Sequence, residues 1–413
     1  MIKSIKAREI SDSRGIPTIE VELETNSGVF KASVPSGTSK GKYEAVELRD
    51  EDGKGVSKAL KNIEEIIAPE LKGKNPQNQK EIDELMIALD GTENKSKLGA
   101  NSISAVSIAV CRAGAAENNL PLYKHLTELT GIRPLSTLAV LPTPSLLLIE
   151  GGLHSETEKK LSIQEFMITA GGDSFKEKFK KATEVYNYLG QILKREIGET
   201  ADSIGYEGGF APPLEKTEEA LDLIIKAIEK AGYQNEIKIT LDVAASSFYY
   251  SEMYKFEGEN FNSEELLNFY SDILEKYPII FLEDPFAEED WKAWKEFDLK
   301  LEADNLKLIL VGDDLTVTNK ERVERAIQEN CINGIIVKPN QVGTVTETLE
   351  CVKIAKQAGL KIIVSHRSGD TLDDFIADLS VGIGADFIKT GGPFKPERIA
   401  KYNRLLKIEE ELS

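Results

Sequence analysis

The sequence predicts an α/β protein, a (β/α)8 barrel preceded by a smaller α+β domain. Three observations carry that expectation. The chain has 413 residues, more than the ~250–300 that a single hydrophobic core usually serves. Its texture changes near residue 145, where short apolar runs begin to alternate with amphipathic helical stretches, as in repeated strand–helix units. From there on, six successive apolar runs each end in an ionisable residue. The domains are expected at 1–135 and 136–413, with Pro134, Pro142 and Pro144 punctuating the passage between them. About 270 residues then remain for the barrel, which suits a fold of typically ~250.

The first domain opens with antiparallel strands. Thr18–Leu23 alternates apolar and polar residues, Asn26-Ser27-Gly28 makes a turn, and Val29–Val34 resumes the alternation. A loop of small residues follows, Pro35 to Gly41. Helical periodicity then predicts helices at about 56–68, 78–89 and 101–118. The last is rich in alanine and other apolar residues, so a buried helix is expected. In the second domain the strands are nearly continuous in apolar residues, as parallel strands covered on both faces should be.

Composition narrows the function. With 51 basic and 70 acidic side chains the formal charge is -19, a field that repels nucleic acid and anionic membranes. A local cation site could still accept an anionic substrate. Cys111, Cys331 and Cys351 are scattered and odd in number, which points to reduced thiols in a cytoplasmic protein rather than a disulfide or thiolate-metal framework. No stretch is long enough to span a bilayer, and the N-terminus lacks a signal-peptide core.

The six strand ends carry the chemistry. Lys238–Leu241 ends in Asp242, and Ile279–Leu282 in Glu283-Asp284. Leu308–Gly312 ends in Asp313-Asp314, and Gly334–Val337 in Lys338. Lys361–Ser365 ends in His366-Arg367-Ser368, and Asp386–Ile388 in Lys389. A lone aspartate at a strand end is more often a cap or turn residue than a ligand. Capping does not explain lysines directly after buried strands, which are costly unless paired. In a barrel these ends converge on one mouth, where active sites lie. Three carboxylates without histidine or cysteine ligands make a hard oxygen site suited to Mg²⁺. Metal and lysine together can stabilise the charge that builds when a proton is removed next to a carboxylate. A lysine among such cations is expected to have a depressed pKa and to act as a base.

Long motifs then make the chain similar to the enolase family over nearly its whole length. They include Ala7-Arg8-Glu9-Ile10 with Asp12-Ser13-Arg14-Gly15, Leu98-Gly99-Ala100-Asn101, Gln164-Glu165-Phe166-Met167 and Glu207-Gly208-Gly209-Phe210-Ala211-Pro212. Asp313-Asp314-Leu315-Thr316-Val317-Thr318-Asn319, Ser365-His366-Arg367-Ser368-Gly369 and Phe375-Ile376-Ala377-Asp378-Leu379 complete the set. The resemblance implies an enolase-type barrel whose second strand runs antiparallel. It implies a glycolytic and gluconeogenic lyase that interconverts 2-phosphoglycerate and phosphoenolpyruvate, as a homodimer or a higher homo-oligomer. A lysine or histidine base beside one or two Mg²⁺ is the arrangement known from the enolase superfamily itself.

Residue by residue, the resemblance implies that Asp242, Glu283 and Asp313 hold the first Mg²⁺. Ser39 would help to hold a second with the substrate phosphate. Lys338 would remove the C2 proton, and Glu207, supported by Glu165, would assist departure of the C3 hydroxyl. Lys389 would neutralise the substrate carboxylate, while Arg367 and Ser368 bind phosphate. His154 and His366 would close over the substrate, with His366 counted among the catalytic groups. Gln164 would stand near the metal, and Glu283 and Asp313 would also lie at the substrate. His125 is expected on the surface.

The departures from the family pattern cluster in loops. Lys40 stands in the Ser39 loop, where it extends into solvent or reaches phosphate, with solvent favoured. Glu150 replaces the usual asparagine before the paired glycines. The charged run Ser155–Lys160 is two residues longer than usual. Tyr206 precedes Glu207 where an acidic residue is common, Ser247 stands where glutamate is common, and Pro339 follows Lys338. Two alternatives therefore stay open: a paralogue acting on another phosphorylated hydroxy acid, or a binding protein that keeps the fold without catalysis.

Overall fold

Strand alternation in the first domain builds a three-stranded antiparallel sheet from β1 (Ser4–Ser11), β2 (Pro17–Glu24) and β3 (Val29–Ser33). The computed structural model describes residues 1–51, 53–132, 140–155 and 161–413. Ile19, Val21 and Leu23 of β2 are fully buried, and the sheet packs on the helix Ala100–Glu117. Small side chains along that helix let it be buried on nearly every face, as its composition predicts. The helix expected at 78–89 is Gln79–Asp90. The run expected at 56–68 is broken into Ser57–Lys61, a π-helical turn Asn62–Ile67, and Ala68–Leu71. Pro69 in the last piece has no N–H to continue an α ladder. The expected boundary between residues 135 and 136 lies outside the described residues, as do Glu156–Lys160 of the charged run.

The barrel strands are β4 (Thr143–Glu150), β5 (Glu165–Ala170) and β6 (Ile237–Asp242). After a small antiparallel sheet of β7 (Tyr249–Tyr250), β8 (Met253–Phe256) and β9 (Glu259–Phe261) come the other five. These are β10 (Ile279–Glu283), β11 (Ile309–Gly312), β12 (Gly334–Val337), β13 (Lys361–Ser365) and β14 (Phe387–Lys389). Eight of them close in the order β10-β11-β12-β13-β14-β4-β5-β6. β5 is antiparallel to both neighbours, and every other barrel pairing is parallel. The second strand is thus reversed, as the resemblance implied. The reason is local: among the described residues only a single 3-10 turn, Gly152–His154, lies between β4 and β5, and a parallel return needs a longer crossover. Two helices, Phe175–Glu196 and Thr217–Ala231, lie instead between β5 and β6.

Leu147, Met167, Phe281, Val311, Ile336 and Ile363 form a separate apolar cluster, one residue from each of six barrel strands. The barrel is therefore filled rather than hollow, and the mouth has a floor. The first domain docks onto the second through charged contacts. Arg112 donates to Asp373 at 2.6 and 2.9 Å, and the Ser33 N–H reaches the same carboxylate at 2.9 Å. Ser36 and Gly369 exchange backbone hydrogen bonds of 2.8 and 2.9 Å, bringing the Pro35–Gly41 loop to the barrel. The three cysteines are free and buried. Among the described residues no helix is long and apolar enough to cross a membrane.

Candidate active site

Six of the ionisable groups at the mouth are delivered by the C-terminal ends of strands. Asp242, Glu283 and Lys389 are the last residues of β6, β10 and β14, while Asp313, Lys338 and His366 directly follow β11, β12 and β13. The reversed strand obeys the opposite rule. β5 runs downward, so its first residue, Glu165, stands at the mouth, opposite Glu150 of β4 and Asp242 of β6. Glu207 comes from the connection between the two helices that follow β5.

Lys389 is the hub. Its Nζ lies 2.6 Å from Glu283 Oε2, 2.9 Å from Glu165 Oε2 and 3.1 Å from Asp242 Oδ2. Burial opposes its charge, but these carboxylates win and hold the amine well above its ordinary value. Lys338 pairs with Asp313, which also accepts from Gln341 Nε2 at 3.0 Å. The depressed pKa expected for Lys338 is that of a lysine beside bound metal; among the protein's own groups the balance is different. Burial pulls it down, but the charge of Asp313 outweighs burial and holds it above its usual value. Pro339 sits at the first position of a short helix, Pro339–Val342, where its missing N–H costs nothing.

Glu165 and Glu207 form a proton-sharing pair. Burial, countered by Lys389, and the charge of Glu207 push the Glu165 carboxyl up. Glu207 is as deeply buried, yet His154, its hydrogen bond with Glu165 and Arg398 bring it down to about 2. The two carboxyls interact directly, so a proton taken up here belongs to the pair rather than to either residue. Two histidines stand over it. His154 Nδ1 is 3.6 Å from Glu207 and 3.8 Å from Glu165, and His366 Nε2 is 3.2 Å from Glu207 Oε2. Arg398 Nη1 reaches His366 Nδ1 at 2.5 Å. A guanidinium only donates, so Nδ1 accepts and the ring proton sits on Nε2, facing Glu207. Burial and the charge of Arg398 keep this ring neutral, with its pKa well below the usual value.

At the other side Arg367 is held by Glu44 in a two-pronged contact of 2.9 and 3.0 Å, and donates to Ser39 O at 3.2 Å. Ser368 Oγ accepts the Thr38 N–H at 2.7 Å. A cavity of ≈ 270 Å³ opens between these groups, walled by Ser39, His154, Gln164, Glu165, Glu207, Asp242, Lys338, His366, Arg367, Ser368 and Lys389. Glu283 and Asp313 are not on its wall; Glu283 touches Lys389 and Asp313 touches Lys338.

The donor set fits a hard cation. Asp242 and Glu283 are pushed up by burial and by each other's or a neighbour's charge, and Glu283 Oε1 is buried with no hydrogen-bond partner. The three carboxylates do not form one tight cluster, because Lys389 and Lys338 stand among them. Among the described residues, the acidic groups with ligand atoms within 4.8 Å of one another are His154/Glu165/Glu207 and Asp284/Asp313/Asp314. In the second group Asp284 is already engaged, accepting the N–H groups of Asp313 at 2.9 Å and Asp314 at 2.7 Å.

Three sequence expectations change or sharpen. His125 is not a surface residue: it is 2% exposed, with Nδ1 3.3 Å from Asn118 Nδ2. Its helix, Leu122–Thr130, turns that face inward against the first domain. Lys40 is exposed, in line with the favoured reading, and there pairs with Glu47 at 2.6 Å. Ser247 is exposed. Sequence reasoning missed Arg398, Glu44 and the role of Glu150. Arg398 reads as one more charge on an amphipathic helix, and no local pattern marks it as fully buried.

A filled barrel with acids and bases gathered at its mouth, capped by an α+β domain, defines an enzyme-like class of two-domain barrels with a small polar site. The family described as the enolase N-terminal domain matches residues 2–126, and the enolase C-terminal TIM barrel domain matches 138–413. The chain belongs to the enolase family. It is 48% identical over 429 residues to enolase 1 of Entamoeba histolytica, covering 100% of this chain and 96% of that protein. It is also 48% identical over 432 residues to an enolase of Solanum lycopersicum, covering 100% of this chain and 95% of that protein.

Proposed function

We propose that the protein is a phosphopyruvate hydratase, the carbon–oxygen lyase of glycolysis and gluconeogenesis that reversibly dehydrates 2-phosphoglycerate to phosphoenolpyruvate. One observation carries the reading: a base, a proton-sharing acid pair, and cations for a carboxylate and a phosphate all line one small cavity. Identity at 48% along the full chain supports the same conclusion.

In this reading Lys338 removes the proton from C2, and the electron pair left there forms the double bond as the C3–O bond breaks. Glu207, backed by Glu165, delivers a proton to the departing hydroxyl, which leaves as water. Positioned acids and bases of this kind contribute ~10²–10⁴-fold each. Lys389 balances the substrate carboxylate, and Gln164 supports it. Arg367 exchanges Glu44 for the substrate phosphate, a trade of one planar two-pronged anion contact for another. Ser368 adds a hydroxyl donor, and His154 and His366 exclude water above the acid pair. Two Mg²⁺, held by Asp242, Glu283 and Asp313 and by Ser39 with the phosphate, would supply charge neutralisation and compete with Lys338 for Asp313. The domains are assigned to 1–135 and 136–413, the compartment to the cytoplasm, and the assembly to a homodimer or higher homo-oligomer. Nucleic acid is excluded as a partner by the charge of -19.

The test is direct. Purified protein with Mg²⁺ and 2-phosphoglycerate should generate the ultraviolet absorbance of phosphoenolpyruvate, and a chelator should stop it. Folded, metal-loaded protein that gives no rise would refute the assignment.

A further inference from the structure

Glu150, the last residue of β4, does not face the cavity. It is 1% exposed and sends its carboxyl beneath the Gly205–Phe210 loop. Oε1 accepts the N–H of Glu207 at 2.9 Å and that of Gly209 at 2.7 Å, and Oε2 lies 3.1 Å from the Glu207 nitrogen. The main chain joins the same loop: Glu150 N donates to Phe210 O and Phe210 N to Leu148 O, both at 2.8 Å. Gly205 N closes the loop on Gly209 O at 2.8 Å. The loop is moulded to this side chain. A Cβ on Gly205 would stand 2.4 Å from Glu150 Oε2, and one on Gly209 would stand 3.0 Å from Glu150 Cγ. Between them Gly208 takes φ +93°, a turn that lets the N–H groups on either side of it, those of Glu207 and Gly209, share one anion seat.

One of the two N–H groups seated there belongs to Glu207 itself. Its peptide is pinned from below while its carboxylate faces His154 and His366 above. A rotation of that peptide would swing the carboxylate out of line. We propose that Glu150 is a positioning residue for the leaving-group half of the reaction, its carboxyl fixing the Glu207 peptide and so the direction in which Glu207 delivers its proton. This rests on the enolase reading, in which Glu207 serves the C3 oxygen and Lys338 serves C2.

The two halves can be measured apart on the full-length, Mg²⁺-loaded protein. In D₂O Lys338 can remove the C2 proton, exchange it with solvent and return a deuteron, with the C3–O bond intact. Proton NMR of 2-phosphoglycerate reads that exchange, and absorbance reads dehydration. Glu150→Leu keeps the bulk and loses the acceptors. It should lower dehydration about 100-fold, the cost of a small misplacement, while C2 exchange stays within about threefold of wild type. Glu150→Gln, which keeps an acceptor, should recover most of the loss. If Glu150→Leu fails to fold, Glu150→Asp, one methylene short of the seat, should show the same split. Undiminished dehydration, a parallel fall of both rates, or no recovery in Glu150→Gln would overturn the inference alone. A wild-type protein that neither exchanges nor dehydrates would overturn the enolase reading, and this inference with it.

Discussion

Lys338 sits between opposing forces: burial lowers its pKa, and Asp313 raises it above the ordinary value. Replacing it with alanine should remove both C2 exchange and dehydration, by ~10²–10⁴-fold or more. Circular dichroism should keep the folded signature, while the melting temperature falls because buried Asp313 loses the cation it pairs with. Arg398 makes a different demand. Besides His366, it donates at 2.6 Å to both Arg367 O and Ser368 O. Arg398→Lys keeps the charge but not the planar fork. Turnover should drop roughly 100-fold as the ring loses its fixed orientation, and the ¹⁵N shifts of His366 should report a mixed tautomer. An unchanged His366 spectrum would show that the guanidinium does not set the ring. The six strand-end groups were legible in sequence because each directly follows an apolar run. Arg398 was not, because its burial depends on residues about 30 positions away, His366–Ser368.

Among the elements, β5 shows how order along the chain can mislead. A rule built on the last residue of each strand finds Asp242, Glu283 and Lys389 but passes over Glu165, which begins its strand. Only the family motif brought it in. β1 was equally hard to see: as an edge strand with one residue, Ile5, buried, it lacks the alternation that marks β2. The seam between the domains depends on Asp373. Burial raises this carboxyl, but Arg112 and the N–H groups of Ser33 and Phe375 bring it below its ordinary value. A depressed acid stabilises the fold above the unfolded pKa, ~3.9, and loses that contribution as pH falls through the lower folded value. Asp373→Asn should therefore cost ~3 kcal/mol near pH 7. The gap from wild type should close below pH ~4. A gap that stayed constant in urea titrations across that range would exclude the ion pair as its source.

For the whole molecule, the charge of -19 and the buried carboxylates at the mouth predict that a bound metal stabilises the fold. Mg²⁺ at about 100 times its dissociation constant should add ~2.7 kcal/mol to stability, seen as a higher melting temperature reversed by chelation. Glu283→Gln should blunt that rise, and a melting temperature indifferent to Mg²⁺ would argue against the assigned ligands. Light scattering should give at least twice the chain mass of 45.6 kDa if the homo-oligomer expected of the family forms. By itself the sequence determined the two-domain plan, the barrel and the ring of acids and bases, because period, apolar runs and strand-end residues are local features. It also carried the family through long contiguous motifs. Tertiary structure alone decided which charges meet: Lys389 among three carboxylates, Lys338 against Asp313, His125 inside, and Glu150 under Glu207. A pKa or a pairing is set by distance and burial, and those arise only when strands far apart in sequence close into one mouth.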